Sequence, residues 1–329
     1  MEIKKILFYK KILSHTLKSW GMLLILYFVS MFSHLLPSYA VIIACIILAF
    51  PNIQSLIYLN VIRKTVRQRH YVEGCFLSRR NNRKTFSIII SYFFSLASAF
   101  LVFLEIPTWN SYIWFVVAFI LIPVFYMFFL VIGDFLSTQF KGLYLDFYKI
   151  SWCLVITPVF ITIIYFACEY ALIPFPEYNN IEEALLYHQY SNVLNKSSSS
   201  LIKEVVRLTS MYDALNDYIF SVASKRLFSM FYSMGNILIN AGIFFYITNI
   251  LVFFTIPKEQ LKRNFRPLSP NEQLDSGAPL QKKYIILLAV LMAITITVFI
   301  ELDTKFKETG HFMLIEHLME DTIKSFRAL

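Results

Sequence analysis

The chain of 329 residues is 57% hydrophobic and 16% charged, with a mean hydropathy of +0.60 and a net charge of +9. Soluble domains carry roughly 25% charged residues, so the composition excludes an ordinary soluble domain and points to an integral membrane protein. Cys45, Cys75, Cys153 and Cys168 form no CxxC or CxxH pair, which implies neither a disulfide framework nor a zinc site.

The first segment, 1–19, alternates Lys4, Lys5, Lys10, Lys11 and Lys18 with Ile3, Leu7, Tyr9, Leu13 and Leu17. It lacks the continuous apolar core and small-residue cleavage site of a signal peptide. The pattern predicts a basic amphipathic helix lying on the inner membrane face and feeding into the first span. Seven apolar stretches follow, at 20–36, 38–58, 86–104, 112–133, 150–171, 228–256 and 284–301. Each approaches the roughly 20 residues that a spanning helix needs. The first two are separated only by Leu36-Pro37-Ser38, and Pro51-Asn52 with Gln54 in the second predicts a kink or an early stop there.

With the N-terminus inside, the cytoplasmic segments are 1–19, 59–85, 134–149 and 257–283, and they hold 21 of the 30 Lys and Arg residues. The positive-inside rule favours that orientation, placing the C-terminus outside. The same charges attract anionic lipid headgroups and need no nucleic acid to explain them. Within 59–85, Arg79, Arg80 and Arg83 lead a basic cluster that serves topology and offers a docking surface for an acidic partner. Segment 257–283, with Pro257, Pro267, Pro270, Gly277 and Pro279, reads as an irregular linker.

The outer loop 172–227 is the largest piece outside the spans. A helix is expected over 181–193, then a hinge at Asn195–Ser200. After the hinge, Leu201, Val205, Leu208, Tyr212, Leu215, Ile219 and Val222 recur at alternating spacings of 4 and 3, which sets them on one stripe of a helix over 201–223. That stripe must bury itself, either on helix 181–193 or the C-terminal helix, or on another subunit. In the tail 302–329, Phe312, Ile315, Met319, Ile323 and Phe326 form a second apolar face.

Lipid supplies no hydrophobic drive for helix association, so small and polar residues mark the seams. Ser87, Ser91, Ser95 and Ser98 line the third span and Ala289, Ala293 and Thr297 the seventh; both rows are read as packing seams. Ser229, Ser233, Asn236 and Asn240 run along the sixth as a candidate polar intramembrane site, accompanied by Glu169, the deepest ionisable group within a span.

No Walker A, GxSxG, HExxH or Rossmann glycine pattern occurs, and His188, His311 and His317 lack metal-ligand spacing. No catalytic residue, metal or cofactor is expected. Only 8 glycines argue against a carrier built on broken helices. The expectation is an all-α, polytopic membrane protein with about seven transmembrane helices and a small extracytoplasmic helical cap, in a bacterial cytoplasmic membrane. Its expected role is that of a non-enzymatic subunit of an export or envelope complex, engaging other subunits or itself through the outer helices and the basic loop. The alternative is a transporter or channel with a polar path near Asn236 and Asn240.

Overall fold

The computed structural model describes residues 2–68, 70, 72, 75–76, 84–106, 111–140, 142–172, 178, 180–222, 242–266 and 280–309. Among these residues the chain is helical throughout, without strands. The helices are α1 (Glu2–Phe32), α2 (Ser38–Gln68), α3 (Thr85–Glu105), α4 (Ser111–Ser137), α5 (Gly142–Leu172), α6 (Ile181–Ser191), α7 (Ser200–Val222), α8 (Gly242–Thr255), α9 (Lys258–Leu261) and α10 (Lys282–Thr309). Short 3-10 turns occupy Ser33–Leu35, Val193–Lys196 and Lys262–Phe265.

Six of these helices, α1 to α5 and α10, are long and apolar enough to cross a membrane. The count rises to seven if α8 and the chain after it form one bent span. Their outward faces carry Phe28, Ile47, Phe93, Val131, Trp152 and Ile286, all exposed. Such dense apolar exposure has a ready solvent in lipid and none in water. These are the features of a multi-pass membrane protein.

Boundaries of later elements differ from the sequence expectation, whereas the basic segment 1–19 feeds directly into the first span, α1 running unbroken from Glu2 to Phe32. Neither Ser19 nor Gly21, at the junction with the span, interrupts the helix, and no Pro lies within it. Likewise α2 does not stop at Pro51 but continues to Gln68. Proline removes one backbone donor, and the packed surroundings hold the helix on course. Residues 59–68 are therefore helix rather than loop. Segment 257–283 also begins with ordered structure: Lys258–Phe265 forms α9 and a 3-10 turn, with Arg263 and Asn264 buried. At the other end, α10 carries the seventh span onward to Thr309.

α2 lies at the centre, with 67% of its apolar window buried against 22% for α1 and 11% for α10. Its main neighbour is α3, along the predicted serine seam: Ser87, Ser91 and Ser95 are buried, and Ser91 Oγ accepts from Asn60 Nδ2 at 3.2 Å. The other predicted seam is reversed. Ala289, Ala293 and Thr297 are exposed, because α10 turns Tyr284, Leu288, Phe299 and Asp303 inward instead. α4 and α5 pair across a tight connection. There Gly142, with φ 56°, is the only described residue in the left-handed region, a conformation that costs an L side chain.

The 201–223 pattern corresponds to a helix, α7, over Ser200–Val222. α7 packs along α6 and against α10. Its first turn is held by Asp303, a buried carboxylate from α10. Oδ1 accepts from Ser199 Oγ at 2.7 Å and from the Leu201 N–H at 3.0 Å, and Oδ2 accepts from Ser38 Oγ at 2.7 Å. Ser199 Oγ in turn accepts from the Ile202 N–H at 3.3 Å. One negative charge thus joins the starts of α2 and α7 to α10, where helix dipoles favour an anion.

Candidate functional site

The polar residues of the core gather where α8 ends. After Thr255 the chain turns by 114° into Lys258–Phe265. Pro257 stands at the corner, its carbonyl accepting from the Gln260 and Leu261 N–H groups. This bent segment lies against a polar stretch of α2, from Asn52 to Tyr58. Ser55 Oγ donates to the carbonyls of Pro51 at 2.9 Å and Asn249 at 2.8 Å. Asn264 Nδ2 donates to the backbone carbonyl and Oε1 of Gln54, at 3.0 and 2.8 Å. Tyr58 donates to Gln260 Oε1 at 2.8 Å. One turn further into the core, Tyr246 donates to the Leu48 carbonyl at 2.8 Å.

Two buried amides in this region are incompletely bonded. Neither side-chain atom of Asn52 has a protein partner, and Asn249 uses Nδ2 on the Phe245 carbonyl while its Oδ1 has none. Both residues are fully buried. Orphaned polar atoms in a core usually mark water, a ligand or a functional group held in reserve.

The bent segment is fastened at its far end by Lys84, just before α3. Its buried Nζ donates to the carbonyls of Arg263 at 2.7 Å, Asn264 at 3.5 Å and Arg266 at 2.5 Å. Burial, assisted by the nearby Arg263 and Lys64 charges, pulls the Lys84 pKa down to about 7. The Gln281 N–H donates to Phe265 O at 2.7 Å and starts the chain into α10.

Beside the bend lies a cavity of about 170 Å³ lined by Lys11, Tyr58, Phe129, Asp146, Lys149, Ile150, Thr255, Ile256, Pro257 and Gln260. Asp146 receives a hydrogen bond from Gln260 and lies near the Arg263 charge. Lys149 Nζ sits 4.0 Å from the Phe129 ring centroid, a cation–π contact. At the opposite end of the bundle, a larger groove of about 490 Å³ runs between α3 and α10 and is almost entirely apolar, with Leu201 and Val205 of α7 at its rim.

The sequence-selected residues divide as follows. Ser229, Ser233, Asn236 and Asn240 lie outside the described residues, as do Arg79, Arg80, Arg83, His311, His317 and the tail from 310. Glu169 and Ile219 belong to described helices, but their side chains are not described. On α7, Leu201 is buried, Val205, Leu208 and Leu215 are half-buried, and Tyr212 is 44% exposed. The most buried row is instead Ile202, Val206, Ser210 and Ala214, displaced around the helix from the predicted stripe. Polar burial on α2 was not singled out in the sequence, although Asn52 and Gln54 within an apolar run were its visible trace. Asp303 had a similar trace, as an acid just past a span in a chain with a Ser-rich loop. Among the described residues no three His, Cys, Asp or Glu side chains cluster to hold a metal.

No protein-family model, no curated protein and no solved structure matches this chain.

Proposed function

We propose that the chain is a seven-span subunit of a larger membrane assembly, with its N-terminus in the cytoplasm of a bacterial cell and α6 and α7 outside, where they receive a partner. The observation that supports this reading most is the apolar face left open on those two helices. Leu186 is 53% exposed, Tyr187 57%, Tyr190 83% and Tyr212 44%. Aromatic residues clustered on a surface are the side chains that anchor protein interfaces. The outward row Ala289, Ala293 and Thr297 on α10 adds a small-residue surface of the kind that membrane helices use to approach one another. The seventh crossing is the 228–256 stretch that ends in α8, and with 257–283 on the cytoplasmic side it leaves the basic residues predominantly on one side. Purification from native membranes tests the assignment. The expected result is a defined partner or self-assembled particle, lost in Tyr190→Asp and Tyr212→Asp variants that keep the wild-type thermal stability. A strictly monomeric wild-type particle in mild detergent overturns it.

One observation favours a second reading, a transporter or channel. The unsatisfied amides of Asn52 and Asn249 stand beside a broken helix, and discontinuous helices with polar groups near the bilayer interior are a common transporter device. This reading moves the polar path from Asn236 and Asn240 to the α2–α8 contact. A cysteine at position 52 would react with a small water-soluble thiol reagent if a hydrated path reaches it. Complete protection of that cysteine in the folded protein removes the reading.

A further inference from the structure

We propose that the cavity between α1, α2, α5 and the turn after α8 holds the phosphate of an anionic phospholipid headgroup, with Lys11 and Lys149 as its cationic contacts. The proposal requires the bundle to be embedded in a bilayer, but it is independent of the assembly role assigned to α6 and α7.

The first argument is depth. At 1.5 Å per residue, Tyr58 stands about 30 Å from Ser38 at the start of α2, Lys11 about 32 Å from Phe32 at the end of α1, and Lys149 about 35 Å from Leu172 at the end of α5. A bilayer hydrocarbon core is roughly 30 Å thick. Three helices therefore bring these side chains independently to the level where hydrocarbon gives way to phosphate.

The second argument is charge. Asp146 accepts a hydrogen bond from Gln260 and lies within electrostatic range of Lys149 and, more weakly, of Arg263. Lys149 lies within electrostatic range of Asp146 and Asp134, yet its close contact is the Phe129 ring rather than a carboxylate. Lys11 faces the same space. Lys11 and Lys149 against the single carboxylate of Asp146 leave the lining with a surplus of positive charge, and Tyr58 and Thr255 line it as well, their hydroxyls donating to Gln260 Oε1 and the Val252 carbonyl. Phe129, Ile150, Ile256 and Pro257 complete the wall. That mixture suits a phosphate joined to glycerol and acyl chain better than a fully hydrated free ion.

The third argument is Gly133. A Cβ at this position would lie 2.5 Å from Lys149 Nζ and 2.7 Å from its Cε. The lysine thus reaches its place by crossing α4 where no side chain stands. Gly133→Ala shifts the ammonium without removing its charge and without opposing the helix, since alanine is the better helix former.

The full-length protein in a phosphate-free maltoside detergent provides the test, with lipid retention read by native mass spectrometry. Phosphatidylglycerol, an uncharged galactosyl diacylglycerol and sodium phosphate are the three probes. The expected result is selective retention of phosphatidylglycerol, weakened roughly tenfold or more by Lys149→Gln, as loss of a charge-assisted hydrogen bond implies. Gly133→Ala should weaken it comparably. Lys149→Arg should restore most of it, and Lys203→Gln on exposed α7 should leave it unchanged. Equal retention of the galactolipid, or undiminished phosphatidylglycerol binding in both Lys149→Gln and Gly133→Ala, overturns the site. Saturation by sodium phosphate alone, with the same dependence on Lys149, overturns the lipid as its occupant. Should Lys149→Gln fail to fold, Gly133→Ala carries the test.

Discussion

Replacing Asp303 with alanine removes a single side chain that joins three helices. The carboxylate accepts from Ser199 Oγ, Ser38 Oγ and the Leu201 N–H. The two hydroxyls can turn toward other acceptors, so their loss is partial. The Leu201 N–H cannot turn, because it is fixed by α7 and buried against the bundle. An unsatisfied buried donor costs about 1–3 kcal/mol, and the lost anion at the α7 N-terminus adds about 0.3–2 kcal/mol. Together with the weakened hydroxyl bonds, the expected destabilisation is about 3–5 kcal/mol, the range found when one partner is removed from a buried charged network. Asp303→Asn keeps the shape and one carbonyl acceptor and should cost about half as much. Ser38→Ala, which removes one hydroxyl donor, should cost about 1 kcal/mol. Thermal unfolding in mild detergent ranks the three variants, and limited proteolysis between α6 and α7 reports whether the cap loosens first. A wild-type melting curve for Asp303→Ala, or equal damage from alanine and asparagine, would refute the account of a charged cap.

Four further outcomes are expected. Between about pH 7 and pH 10.5 the unfolded chain binds a proton at Lys84 that the folded chain does not. Stability should therefore climb with pH through that window, at up to about 1.4 kcal/mol per pH unit, and fluorescence-detected melting of Lys84→Met should show that slope reduced. The same variant should expose residues 258–266 to hydrogen exchange, since the carbonyls of Arg263 and Arg266, the two nearest Lys84 Nζ, lose their donor. Gly142→Ala should lower stability by about 1–2 kcal/mol in thermal unfolding, because its φ of 56° disfavours a side chain. Leu208→Asp and Leu215→Asp should destabilise the cap or its assembly, whereas Lys203→Asp, on an exposed position of α7, should be nearly silent in the same melting and size-exclusion measurements.

The spans were legible because lipid solvation imposes a simple requirement: long apolar runs, which the sequence displays directly. Serine spacing likewise exposed the α3 seam. The α10 row misled because Ala289, Ala293 and Thr297 suit an interface without stating whether its partner lies in the same chain. α7 shows a related limit. Its apolar period announced a helix, but which side is buried depends on α6, α10 and a distant carboxylate. The polar core was the least legible part. Asn52, Gln54 and Ser55 looked like interruptions of α2, and their partners Asn249 and Asn264 are far away in the sequence. Nor does the low glycine count reveal where one of them makes room for a lysine.

That separation bears on how the protein is made. The Ser55–Asn249 and Gln54–Asn264 contacts join residues 194 and 210 positions apart. At about 5–20 residues per second of synthesis, α2 would wait roughly 10–40 s for the segment that covers its amides. Throughout that interval a nascent chain presents uncovered Asn52, Gln54 and Ser55 to whatever surrounds it. Insertion machinery, a membrane chaperone or a waiting subunit has to shelter them, and a chain interrupted before α8 is a natural target for quality-control proteases. The helix at the middle of the finished bundle thus meets its main neighbour, α3, soon after synthesis, yet completes its polar contacts only when α8 and the segment after it follow.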